Sequence, residues 1–92
     1  MILNAEKDGD YKLVAELTKA ADYGIIQFRV DGVKVGEPVD LYSPNVIPTG
    51  AMEIGTVSLK AGKHVVEVEI VGKNEKAIPE YMVGIDRLQL IP

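Results

Sequence analysis

Cysteine and tryptophan are absent from this 92-residue chain, and histidine occurs once. Without cysteine there are no disulfides, no thiol nucleophile and no cysteine-based zinc site, and the redox compartment stays open. Aromatic residues are only 5% of the sequence against an apolar fraction of 47%. The core must therefore be built from Val, Ile and Leu, which suit pleated, half-buried surfaces. Positive charge is not in excess: 10 Lys and Arg face 14 Asp and Glu, for a net charge of −4 with the signs interspersed. No basic stripe exists to neutralise phosphates, so nucleic acid and an anionic membrane face are excluded as partners and a neutral ligand is favoured. Long apolar runs are missing too, since no stretch reaches the roughly 18 residues that a spanning helix needs. The segment Met1-Ile-Leu-Asn-Ala-Glu-Lys7 shows no cationic stretch followed by an apolar one, so the expectation is a soluble chain without a leader.

Alternation is what the chain does have. At this length one domain forms, residues 1–92, burying roughly 60–65% of its unfolded surface. Tyr11, Leu13, Ala15 and Leu17 alternate with Lys12, Val14, Glu16 and Thr18, which predicts a strand after the turn Lys7-Asp-Gly-Asp10. A helix over 11–21 competes there on propensity alone. Ile26, Phe28 and Val30 alternate with Ile25, Gln27 and Arg29, and Asp31-Gly32 supplies the two positive-φ positions of a type I′ hairpin turn. Val33–Val35 is its short return strand, stopped by Gly36-Glu-Pro38 and placed at a sheet edge because proline brings no N–H to a ladder. Residues 39–50, punctuated by Pro44, Pro48 and Gly50, form the longest irregular segment and the first candidate for a functional loop.

Further on, Met52–Leu59 and His64–Val71 read as strands joined through Lys60-Ala-Gly-Lys63 as a tight hairpin. After a polar turn at Gly72–Lys76 and a loop to Glu80, Tyr81–Ile91 is the last strand. Val83 and Ile85 are out of phase with Leu88 and Leu90, which calls for a bulge near Asp86-Arg87. Six or seven strands without a supported helix specify an all-β fold, an antiparallel, jelly-roll-like β-sandwich.

The motifs Gly9-Asp-Tyr11-Lys-Leu, Asp22-Tyr-Gly24, Val30-Asp-Gly32, Val39-Asp-Leu-Tyr42, Gly55-x-Val-x-Leu59, Ala61-Gly-x-His64, Val71-Gly-Lys-Asn74 and Gly84-Ile-Asp-Arg-Leu-Gln-Leu90 carry a resemblance. Over about residues 9–91 the chain resembles the jelly-roll accessory domains of bacterial carbohydrate-active enzymes. It is similar in particular to galactose-binding-like carbohydrate-binding modules and to the C-terminal jelly-roll portion of glycoside hydrolases related to difructose-anhydride synthases. The resemblance implies a fragment of a larger bacterial protein, secreted or periplasmic, with N-terminal strands outside this chain.

Sugar binding wants flat apolar surface beside planar hydrogen-bonding groups. Tyr42 and Tyr81 lie in or beside the two irregular segments, near Asp40, Asn45, Asn74 and Glu80, and these six are the candidate saccharide contacts. The competing reading makes Tyr42 an anchor for its loop and Tyr81 a cap on the last strand. His64 has no Ser or Cys partner in a recognisable motif and reads as a structural hydrogen bond to a neighbouring loop. Glu67 and Glu69 read as solvent-facing groups paired with Lys on the next strand, and Asp86 as an acid holding backbone N–H groups or pairing with Arg. Sparse acidic turns such as Asp8 and Asp10 do not make a calcium loop, and no phosphate loop, zinc motif or nucleophile elbow is present. No catalytic residue, metal or cofactor is expected. The expectation is a non-catalytic carbohydrate-associated module of a glycan-active enzyme, its partners a saccharide and a catalytic domain. The alternative is a structural or assembly domain that packs on a neighbouring domain or an identical subunit.

Overall fold

The computed structural model describes residues 1–92. Period-two patterning yields seven strands and no helix: β1 (Ile2–Ala5), β2 (Gly9–Lys19), β3 (Ile25–Val30), β4 (Val33–Asp40), β5 (Ile47–Leu59), β6 (Gly62–Gly72) and β7 (Gly84–Ile91). They pair as two antiparallel sheets, in the orders β1-β6-β3-β4 and β5-β2-β7, packed as a β-sandwich. On β2 the inward positions Tyr11, Leu13, Ala15 and Leu17 are all buried, and they meet Ile26, Phe28 and Val30 of β3 and Val66 of β6 in one cluster. An i, i+2 spacing keeps those side chains on one face of a strand and would scatter them around a helix, so burial decides against the helix. Each fully buried Leu, Ile or Phe among them contributes about 1.5–3 kcal/mol.

Connectivity departs from expectation at one place. Lys60-Ala-Gly-Lys63 is no hairpin: β5 lies beside β2 in one sheet while β6 lies between β1 and β3 in the other. The tight turn instead carries the chain across the sandwich, with Gly62 at φ 128°. Two alternating strands separated by a turn look the same whether they pair with each other or with other strands, so local pattern could not distinguish the two. Only β3 and β4 form a hairpin between sequential strands, and there Asp31 at φ 50° and Gly32 at φ 83° take the expected turn.

Several boundaries move as well. β4 does not stop at Gly36; it resumes pairing at Val39 and Asp40 after Gly36, Glu37 and Pro38 bulge out opposite Gln27. Its placement at the sheet edge is as expected, which is why Pro38 is tolerated. β5 begins at Ile47 and runs through Pro48, also on an edge, with Thr49 and Gly50 bulged opposite Leu17, whose N–H donates to Thr49 Oγ1 at 3.0 Å. The irregular part of 39–50 thus shrinks to 41–46, and the longest connection is 73–83. β1 answers to no expected strand, and β7 starts at Gly84 instead of Tyr81. Its bulge falls at Asp86, where the two phases of the strand meet, as the sequence requires.

Candidate functional site

Because connections alternate between ends, the β2–β3, β4–β5 and β6–β7 segments gather at one end of the sandwich. Backbone bonds lace them: Ala20 N–H to Leu41 O at 3.0 Å, Leu41 N–H to Gly24 O at 3.1 Å, Ile78 N–H to Ala21 O at 2.8 Å and Gly24 N–H to Met82 O at 2.9 Å. Fully buried Leu41 is the apolar pin of this end. Three of the six candidate contacts, Asp40, Tyr42 and Asn74, are concerned with holding it. The carboxylate of Asp40 accepts from Tyr42 N–H at 2.9 Å and from Asn74 Nδ2 at 2.8 Å, and Asn74 Oδ1 accepts from Lys76 N–H at 3.0 Å. Asp40 and Asn74 are thus brought together, across two connections, as a clip whose polar atoms are engaged. Tyr42 is half-buried, and its backbone is joined to Ala20 by an isolated parallel bridge.

Asn45, Glu80 and Tyr81 stand apart from that clip on exposed turns. Tyr81 caps no strand: it sits at φ 53°, a left-handed conformation costly for a bulky residue. The residue is 43% exposed, near Ile70, Ile78 and Met82, all at least 45% exposed. Ile70 and the Tyr81 backbone both border Gly24, whose Cβ would lie 3.3 Å and 3.7 Å from them.

Two polar concavities lie elsewhere. Where the sandwich opens between β4 and β5, a groove of about 450 Å³ is lined by Lys19, Glu37, Pro38, Val39, Asp40, Met52, Glu53 and Ile54. Its construction is specific. The Gly36–Pro38 bulge leaves a gap in the β3–β4 ladder, and the buried side-chain amide of Gln27 fills it by donating to the carbonyls of Phe28, Val35 and Gly36 at 3.0, 3.2 and 3.1 Å. Gly36, at φ 69°, then abuts the backbone of Ile54, itself a bulged residue, so that the two sheets close at the groove's wall. Val39, Met52 and Ile54 give it an apolar floor, and Glu37, Asp40 and Glu53 with Lys19 a polar rim. Of the six candidates only Asp40 reaches it. A smaller cleft, about 330 Å³, lies toward the opposite end among Asn4, Glu6, Lys7, Tyr11, Leu90 and Pro92.

His64 bonds two loops. Its Nδ1 is 2.5 Å from Asp31 Oδ2 and its Nε2 is 2.7 Å from Lys60 O, so neither ring nitrogen is left to accept a proton from a substrate. The hydrogen bond to Asp31, followed by that to the Lys60 carbonyl, raises the His64 pKa above its ordinary 6.5, with partial desolvation opposing. Reciprocally, His64 and the Val65 N–H hold Asp31 below its ordinary 3.8. Glu69 pairs with Arg29 at 2.9 Å, an arginine and not the lysine expected. Asp86 accepts from Thr18 Oγ1 at 2.9 Å, while its neighbour Arg87 reaches Glu16 at 3.9 Å. No group of three His, Cys, Asp or Glu side chains lies close enough to hold a metal ion.

No protein-family model and no curated protein matches this chain. A solved structure does. A xanthan lyase from Paenibacillus aligns with a TM-score of 0.81 over 98% of this chain at 22% identity, and the aligned part is 9% of the lyase chain. The likeness is one of fold. This chain therefore has the fold of a stretch of a carbohydrate-active enzyme and spans under a tenth of its length.

Sequence reasoning overlooked the groove because its lining comes from three separated stretches, Lys19, 37–40 and 52–54. Two signals were present: the breaker Gly36-Glu-Pro38 inside an alternating run, and the glycines at 50 and 55 on the strand across from it. Bulges beside a groove are read from such residues once the facing strand is known.

Proposed function

We propose that the chain is a non-catalytic, carbohydrate-associated β-sandwich module of a larger glycan-active enzyme. The observation that carries this reading is the fold correspondence, in which nearly the whole chain answers to a small part of a xanthan lyase. The engaged ring nitrogens of His64 support it. The surface that fits a saccharide best is the β4–β5 groove, where the floor of Val39, Met52 and Ile54 meets the C–H faces of sugar rings and the rim carboxylates accept hydroxyl protons. Three rim carboxylates against one lysine disfavour a polyanion, so the ligand is a neutral glycan.

Calorimetric titration against neutral polysaccharides and against xanthan tests the reading. Binding to a neutral glycan is expected, weakened by Glu37→Gln and Met52→Ala without a change in melting. Silence across a broad panel overturns it. The exposed apolar group of Ile78, Tyr81 and Met82 favours a second reading, an assembly domain. Light scattering after size exclusion examines its identical-subunit form: a dimer weakened by Met82→Ser supports it, and a monomer at every concentration rejects it.

A further inference from the structure

The turns at the end opposite the Asp40–Asn74 clip are tied through one side chain. Asp31 belongs to the β3–β4 hairpin tip, Lys60 to the β5–β6 crossover, and His64 stands between them at the start of β6. Both atoms that face the ring nitrogens are pure acceptors, a carboxylate oxygen at 2.5 Å and a backbone carbonyl oxygen at 2.7 Å. A neutral imidazole carries one N–H and satisfies only one of them; imidazolium carries two and satisfies both. The remaining Asp31 oxygen accepts Val65 N–H at 2.9 Å, and Asp31 N–H returns a bond to Val65 O at 2.8 Å. The crossover is fastened onward by Ala61 N–H to Asp8 Oδ1 at 2.7 Å.

We propose that His64 is a proton-operated clamp: as imidazolium it bonds the Asp31 carboxylate and the Lys60 carbonyl together, fastening the β3–β4 hairpin to the β5–β6 crossover, and it opens when the ring loses a proton. The charged groups around it come from every element packed there. Asp31 on the hairpin touches the ring; Lys60 and Lys63 flank it on its own chain segment; Asp8 on the β1–β2 turn holds Ala61; the Met1 ammonium on the β1 side donates to Val66 O at 3.1 Å. Arg29 of β3 is engaged with Glu69 and the Gly32 carbonyl. Only Asp31 bonds the ring as a charge.

The sign of the pH dependence follows. His64 has a raised folded pKa, so its contribution to stability is complete below the ordinary 6.5 and is lost as pH rises through the folded value. Asp31 has a lowered one, so its contribution is complete above the ordinary 3.8 and is lost as pH falls through the folded value. The clamp is therefore fully closed between those ordinary values and opens on the alkaline side through His64 alone.

Because the chain has a single histidine, nuclear magnetic resonance of the imidazole reads it without ambiguity. Between about pH 5 and pH 9, the ring of the wild-type protein is expected to titrate with a midpoint above 6.5. The amide shifts of Asp31, Ala61 and Val65 should move with the same midpoint. Asp31→Asn keeps a residue that tolerates the left-handed turn and should bring the midpoint down towards the ordinary value. In His64→Gln the amides should stop titrating over that range, and its melting temperature should lose the alkaline decline of the wild type, which also separates His64 from the Met1 ammonium. A midpoint at or below 6.5, amides that do not follow the ring, or parallel wild-type and His64→Gln melting curves each overturn the proposal.

Discussion

Alanine at Gly36 tests the architecture of the groove more sharply than any change to its lining. Gly36 sits at φ 69°, and a Cβ there would stand 2.0 Å from Ile54 O and 2.9 Å from Ile54 C. Both obstacles are backbone, so no side-chain rotation relieves them, and β4 must part from β5. Left-handed backbone costs about 1–2 kcal/mol for a residue with a Cβ, and forcing atoms into a filled space about 1–3 kcal/mol more. Gln27 then loses alignment with the Val35 and Gly36 carbonyls, at about 1 kcal/mol for a hydrogen bond. The total is about 3–6 kcal/mol, a large part of the roughly 5–14 kcal/mol that a domain of this size has. Gly32→Ala is the internal control, because it has a similar φ of 83° with nothing within 4 Å of its Cβ. It should cost only the backbone share. At about 4–8 °C per kcal/mol for a domain of this size, Gly36→Ala should melt at least about 12 °C below wild type, or fail to fold, while Gly32→Ala loses about 4–16 °C. Urea denaturation with an unchanged m-value gives the two free energies directly. Equal losses in the two variants would refute the close approach of Gly36 to Ile54, and with it the walled groove.

Gln27→Leu keeps the bulk but strands the carbonyls that the amide serves, so a loss of about 2–4 kcal/mol in chemical denaturation is expected, and a neutral result would dismiss the gap-filling role. Leu17→Ala removes a fully buried side chain from the centre of β2 and should cost about 2–5 kcal/mol by the same measurement. Tyr81→Gly relieves the left-handed backbone and should raise stability by about 1 kcal/mol. If Tyr81 contacts a glycan, the same variant should lose about 1–3 kcal/mol of affinity for polysaccharide; unchanged affinity with raised melting would mark the residue as exposed surface only.

Alternating polarity along 11–18, 25–30, 52–59 and 64–71, together with the punctuating Asp31-Gly32 and the phase change at Asp86, was enough by itself to determine strands, the one true hairpin and the bulge in β7. These are local consequences of a period-two backbone and of residues that accept positive φ. Asp40 and Asn74 were legible only as polar groups in or beside two irregular segments, offered as saccharide contacts; their joining as a clip across two connections needed the tertiary structure. Which sheet each strand joins was decided only by tertiary structure. The turn at Lys60–Lys63 can close a hairpin or cross the sandwich, and the choice depends on β2 and β3 competing as partners from far along the chain. The extension of β4 past Pro38 and of β5 back to Ile47 has the same origin, because an edge strand can carry proline and bulges only where its partner leaves room. Gln27 shows the limit most plainly. On pattern it is a solvent-facing residue of β3, yet it is buried because the Gly36–Pro38 bulge folds over it, and no local rule connects a glutamine to a gap in a strand paired from beyond the next turn.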